Sequence, residues 1–208
     1  MKWLKIVVFL YITITMYADC KNYTKHKRWE QISNQRIFSV SGLVHHKNGF
    51  LIVHDNKRDN QPRISFFKNN KISPLIWPDS SLPYDLEAIS IIPSFKNQYI
   101  LMESTGKCYK IKIEQRNNQI TLMNVFQLET NEGMNLEGCI IVKGNFGYKI
   151  MYGDRGSDLR KSTLFVGDFN PINNNITNLV KHIIDLPAPS EHKRNIADLG
   201  IDKKNNLW

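Results

Sequence analysis

From residue 41 onward the chain alternates between apolar runs of strand length and short turns rich in Asn and Gly. The clearest case is Glu137-Gly138-Cys139-Ile140-Ile141-Val142, followed by a Gly-containing turn and Tyr148-Lys149-Ile150-Met151-Tyr152-Gly153-Asp154. Two apolar runs across a tight turn predict an antiparallel hairpin. One strand carries a carboxylate where it begins and the other where it ends, so Glu137 and Asp154 are expected on one rim.

The same unit recurs. Ser41-Gly42-Leu43-Val44 turns at Lys47-Asn48-Gly49 and returns as Phe50 to Asp55. Asp85-Leu86-Glu87-Ala88-Ile89 turns at Pro93 to Asn97 and returns as Gln98 to Glu103. Each hairpin is followed by two more strand-like runs: Arg63–Phe67 and the run from Lys71, Cys108–Ile113 and Ile120–Phe126, Lys161–Phe169 and Ile176–Ile184. Cys108–Ile113 alternates apolar and polar residues as a half-buried strand would. A fourth unit opens at Asn195 to Asp202, turns at Asn205-Asn206 and reaches Leu207-Trp208.

Superposition makes Ser41, Glu87, Glu137 and Asp198 equivalent, at separations of 46, 50 and 61 residues. It also aligns the second-strand ends Asp55, Glu103 and Asp154. Four strands per period of roughly 40–50 residues is the pattern of a β-propeller blade. The expectation is an all-β chain with about three and a half blades, the N-terminal portion of a six-bladed ring. The alternative is an irregular all-β domain. The end inside the fourth unit is also consistent with a truncated product.

Residues 1–18 read differently. A basic start, an apolar run from Ile6 to Met16 and a small Ala18 match a secretory signal peptide too short to span a bilayer. Asp19 before Cys20 argues against a lipid anchor there. The expected organisation is a signal peptide (1–18), a polar lead-in (19–38) and the blades (39–208), in a secreted or periplasmic protein. Removing the leader lowers the formal charge from +9 to +7 through loss of Lys2 and Lys5. That excess reads as a solvated basic surface or an attraction for anions, but no nucleic-acid-binding module accompanies it. Cys20, Cys108 and Cys139 match no zinc spacing and allow one disulfide or buried free thiols.

Acids recurring at the ends of inner strands would converge on one axial face. Glu87, Glu137 and Asp198 form the expected ring, with Asp55, Glu103 and Asp154 as outer ligands or a second site. Clustered carboxylates are costly without a cation, and hard oxygen donors suit Ca²⁺. Acids that merely cap turns are the competing reading. Arg155, flanked by Gly153 and Gly156, is a candidate to bind a substrate anion bidentately, or else pairs with Asp154 or Asp158.

Asp85-Leu86-Glu87-Ala88-Ile89, Asn131-Glu132-Gly133-Met134-Asn135-Leu136-Glu137-Gly138 and Gly153-Asp154-Arg155-Gly156 resemble the repeated blade starts of phytase-like β-propellers. That group includes the esterase-like-activity-of-phytase and SdiA-regulated families. The resemblance spans roughly residues 40 to 208. It implies a secreted or periplasmic propeller with calcium near the axial face and metal-assisted hydrolysis of a phosphoester or other ester. Glu87 and Glu137 match the motif acids; Asp198 matches less well. A non-catalytic propeller holding a small ligand or protein, with a structural metal, is the alternative.

Overall fold

The computed structural model describes residues 31–114, 117–157, 160–184, 196–202 and 206–208. The signal-peptide reading and Cys20 lie outside them. Among these residues, after a 3₁₀ turn at Arg36–Phe38, twelve strands form three four-stranded antiparallel sheets. The first holds β1 (Gly42–His46), β2 (Gly49–Val53), β3 (Ile64–Lys68) and β4 (Lys71–Pro74). The second holds β5 (Leu86–Ile91), β6 (Gln98–Glu103), β7 (Lys107–Ile113) and β8 (Ile120–Gln127). The third holds β9 (Leu136–Gly144), β10 (Gly147–Asp154), β11 (Ser162–Asn170) and β12 (Asn175–Ile184). Strands pair in chain order within each sheet. The all-β class and four strands per unit are as expected. None of the described segments is a helix long and apolar enough to cross a membrane.

The turns use residues that tolerate a left-handed backbone. Asn69 and Asn70 (φ 50° and 57°) close β3 onto β4, and Asn118 (φ 56°) lies between β7 and β8. Gly49 is glycine for another reason. It is the first residue of β2, and an added Cβ would lie 2.5 Å from the Phe67 carbonyl.

Two apolar layers separate the three sheets. Leu51, Val53, Ile64, Trp77, Tyr99, Leu101, Tyr109 and Ile111 fill one. Ile100, Met102, Cys108, Cys139, Ile150, Tyr152 and Phe165 fill the other, with Tyr152 stacked on Phe165 at 4.7 Å. Successive residues of β6 enter opposite layers, which is why that run is apolar throughout. β7 departs from half-burial for the same reason. Its Lys110, on the nominally polar side, is buried, with the ammonium over the Phe95 ring and donating to the Pro171 carbonyl. Cys108 and Cys139 are free buried thiols.

The first strands β1, β5 and β9 lie side by side. A Cβ on Gly42 would sit 3.1 Å from the Ala88 Cα, and the Ser90 hydroxyl accepts the Ile141 N–H at 2.9 Å. The next segment continues the series. A Cβ on Gly138 would fall 2.4 Å from the Leu199 nitrogen. Gly200 and Trp208 exchange two backbone hydrogen bonds, so Leu207-Trp208 does return against 200–202.

Candidate functional site

At one end of the sheets the first strands begin and the second strands finish. Hydrogen bonds join neighbouring sheets there: Asp85 N–H to the Asn56 carbonyl, the Ser41 hydroxyl to the Leu86 carbonyl and Leu136 N–H to the Ser104 carbonyl. The ladder pairs Leu86 with Glu103 and Leu136 with Asp154. Glu137 and Asp154 therefore share a rim, as expected. The first sheet differs. Gly42 pairs with Val53, so His54 occupies the position of Glu103 and Asp154, and Asp55 lies one residue beyond. The cause is a bulge: register slips at Leu86/Ala88 and at Tyr152/Gly153, whereas β1–β2 pairs without one.

The three residues at that aligned position are buried, and each clasps the segment entering its sheet. The Glu103 carboxylate accepts the Tyr84 N–H at 2.7 Å, the Tyr109 hydroxyl at 2.5 Å and the Thr105 hydroxyl at 3.2 Å. Asp154 accepts the Asn135 N–H at 3.1 Å and pairs with Arg160. His54 Nδ1 donates to the Ser39 carbonyl at 2.8 Å, which leaves Nε2 to accept the Ser65 hydroxyl at 2.8 Å. Burial lowers the His54 pKa and favours this neutral form. Glu103 and Asp154 thus spend their lone pairs on the fold.

Glu87 is different. It is the bulged residue of β5, half-buried, and its carboxyl has no hydrogen-bond partner among the described residues. Burial, then the charges of Glu137, Asp85 and Asp55, raise its pKa to about 8, with Lys57 opposing. Each of the other three acids has a basic partner. Glu137, 9% exposed, accepts Asn135 Nδ2 at 3.0 Å and Arg155 Nη1 at 3.1 Å. Burial raises its pKa while Arg155 pulls the other way. Asp85, in the left-handed region (φ 60°), pairs with Lys57 at 2.9 Å and accepts the Ser104 hydroxyl at 2.9 Å. Asp55 takes a bidentate contact from Arg36 at 2.8 and 2.7 Å, which holds its carboxyl below the usual range.

The structure therefore brings Glu87, Glu137 and Asp55 into one electrostatic neighbourhood with Arg155 at its edge. Arg155 pairs with Glu137 rather than with Asp154; Asp158 lies outside the described residues. The Asp198 backbone lies against Gly138, next to Glu137; the residue is exposed, its carboxylate accepts the Leu199 N–H at 2.7 Å, and it contributes to raising the buried Cys139 thiol to about 12, chiefly a burial effect. Among the described residues no three His, Cys, Asp or Glu side chains are arranged to hold one metal ion. Sequence reasoning passed over Asp85, Lys57 and Arg36 as parts of this rim. Strand alternation could not have flagged Asp85, which precedes β5 with a left-handed backbone and lies two residues from the bulge at Glu87. No family model matches the chain, and no curated protein matches it.

Proposed function

We propose that the chain is an exported β-propeller-type binding protein whose acidic rim takes a hard divalent cation, Ca²⁺ first. The neighbouring first strands β1, β5 and β9 support the propeller reading. The observation that carries the cation reading is Glu87: a half-buried carboxyl with no hydrogen-bond partner among the described residues, held protonated by burial and by three nearby carboxylates. A cation relieves that repulsion, and carboxylate oxygen is the donor Ca²⁺ prefers. Glu87 and Glu137 are the residues that would hold it, with backbone carbonyls and water needed to complete the shell. The fit does not extend to Glu103 or Asp154, whose oxygens are already taken. Bound there, Ca²⁺ would polarise an oxygen of an ester or phosphoester substrate.

The test is thermal unfolding of the chain with millimolar Ca²⁺ and with chelator. A ligand that binds only the folded state stabilises it by ~2.7 kcal/mol at a hundredfold excess over Kd. The expected result is a calcium-dependent rise in Tm that disappears in Glu87→Gln/Glu137→Gln. A Tm indifferent to calcium overturns the cation reading.

Hydrolysis of a phosphoester or other ester is the second reading, favoured by the same carboxyl. An acid that holds its proton near neutral pH suits proton transfer to a leaving oxygen, and the half-exposed Arg155 guanidinium suits an anionic substrate. Turnover of a nitrophenyl phosphate or acetate that vanishes in Glu87→Gln would support it; turnover unchanged in that variant would refute it.

A further inference from the structure

At the end opposite the acidic rim, the tight turns β1–β2, β3–β4, β5–β6, β7–β8, β9–β10 and β11–β12 share one face. Contacts between turns of neighbouring sheets establish this: Lys47 Nζ to Asn118 Oδ1 at 2.7 Å, Lys143 Nζ to Ser94 Oγ at 3.1 Å, and the Phe95 and Tyr148 rings 6.0 Å apart. Two large apolar side chains project from it. Phe146, in the β9–β10 turn, is fully exposed, and Ile172, in the β11–β12 turn, is 80% exposed. Between them lies an open groove of about 520 Å³ whose lining includes Phe95, Tyr148 and Phe169.

Charge separates the two ends. Lys96 and Lys143 are exposed beside the apolar tips, and Lys47, Lys68 and Lys71 occupy the turns of the first sheet. Against them two described carboxylates stand near this end, Glu114 in the β7–β8 turn and Asp168 in β11 on the groove wall, each already ion-paired to a lysine: Lys112 at 3.3 Å and Lys149 at 2.6 Å. Asp55, Asp85, Glu87, Glu137 and Asp154 all stand at the other end.

We infer that this turn face docks on an anionic phospholipid bilayer, with Phe146 and Ile172 entering the headgroup–acyl boundary and the lysines facing acidic headgroups. Apolar side chains raised on turns within a cationic field are the two ingredients of interfacial binding. The alternatives fit less well. Lysine is depleted at the centre of protein–protein interfaces, and nucleic-acid phosphates give no reason to hold Ile172 in water. Docked this way, the acidic rim faces away from the bilayer.

The experiment is co-sedimentation of the full chain with vesicles of phosphatidylcholine alone or mixed with phosphatidylserine. Binding is expected only to the mixed vesicles and should weaken with salt. Lys96→Glu/Lys143→Glu should weaken it by at least about tenfold, each lysine near the surface contributing about fivefold. Phe146→Ser/Ile172→Ser should also weaken it by about tenfold or more, with the unfolding midpoint unchanged because both side chains are solvent-facing. As an independent readout, Trp placed by Phe146→Trp should shift its emission to the blue on mixed vesicles and be quenched by brominated acyl chains. No sedimentation with mixed vesicles overturns the proposal. So does binding to double-stranded DNA as tight as to vesicles and indifferent to Phe146 and Ile172.

Discussion

Replacing Glu87 with Gln should make stability less dependent on pH. In the folded chain the Glu87 carboxyl titrates at about 8, against an ordinary value of 4.5. The folded state thus binds the Glu87 proton more tightly than the unfolded state does. Between those two values the folded chain carries more protons, so stability falls as pH rises. Below about 4.5 the group is protonated in both states; above about 8 it is ionised in both and its full cost is present. At about 1.4 kcal/mol per pH unit the undiminished cost would be ~5 kcal/mol. Glu87 is only partly buried, and solvent screening reduces this to about 1–2 kcal/mol. Gln keeps the shape and loses the charge. Urea unfolding of wild type and Glu87→Gln at pH 5 and pH 9, without calcium, measures the effect. The wild type should lose about 1–2 kcal/mol relative to the variant between those conditions. Parallel pH profiles for the two proteins would refute the assignment of Glu87 as a strained, unpartnered carboxyl. If the cation reading also holds, millimolar Ca²⁺ should flatten the wild-type profile and leave the variant unaffected.

Four further substitutions probe the fold that holds this rim. Glu103→Ala removes the acceptor for the Tyr84 N–H and the buried Tyr109 hydroxyl; a loss of about 2–4 kcal/mol by urea unfolding is expected, and a neutral result would show that the clasp is dispensable. Gly138→Ala would drive a Cβ to within 2.4 Å of the Leu199 nitrogen. It should cost about 1–3 kcal/mol and speed hydrogen exchange at Leu199, whereas Gly133→Ala, with open space around it but a φ of 76°, should cost only about 1 kcal/mol. Leu101→Ala empties part of the layer between the first two sheets, where Leu101 is fully buried; an unfolding free energy lower by about 2–5 kcal/mol is expected.

The strands were legible because their cues are local. Asn at Asn69, Asn70 and Asn118 marks turns through its tolerance of a left-handed backbone, and the apolar run of β6 marks a strand covered on both faces. What each polar residue does was less legible, because that depends on partners distant in sequence. Lys110 reads as solvent-facing in its alternating strand, yet it is buried, its ammonium donating a hydrogen bond to the Pro171 carbonyl 61 residues away. His46 ends β1 at a hairpin, where solvent is close, yet it packs inside with Nδ1 2.6 Å from the Tyr99 hydroxyl, and burial lowers its pKa. Asp55 aligns with Glu103 by counting residues, and a one-residue bulge in β5, invisible to counting, gives that place to His54.

The same distinction sorts the acids that the repeat groups together. Recurrence at blade starts and ends identifies positions that meet at a rim, but a position does not decide whether a carboxylate serves structure or chemistry. Glu103 and Asp154 stand at equivalent ladder positions, and each is saturated by a backbone amide and a further donor. Their charge is already compensated, so a ligand would have to displace hydrogen bonds that hold the entering segment. Glu87 gains its freedom from the bulge: it is the extra residue of β5, without a cross-strand partner, and the nearby cations Lys57, Arg36 and Arg155 are each engaged by another acid. A carboxyl with no protein hydrogen-bond partner among the described residues is the member of the set from which a ligand displaces least. For that reason Glu87, rather than the whole set of six acids, is where binding should be sought first.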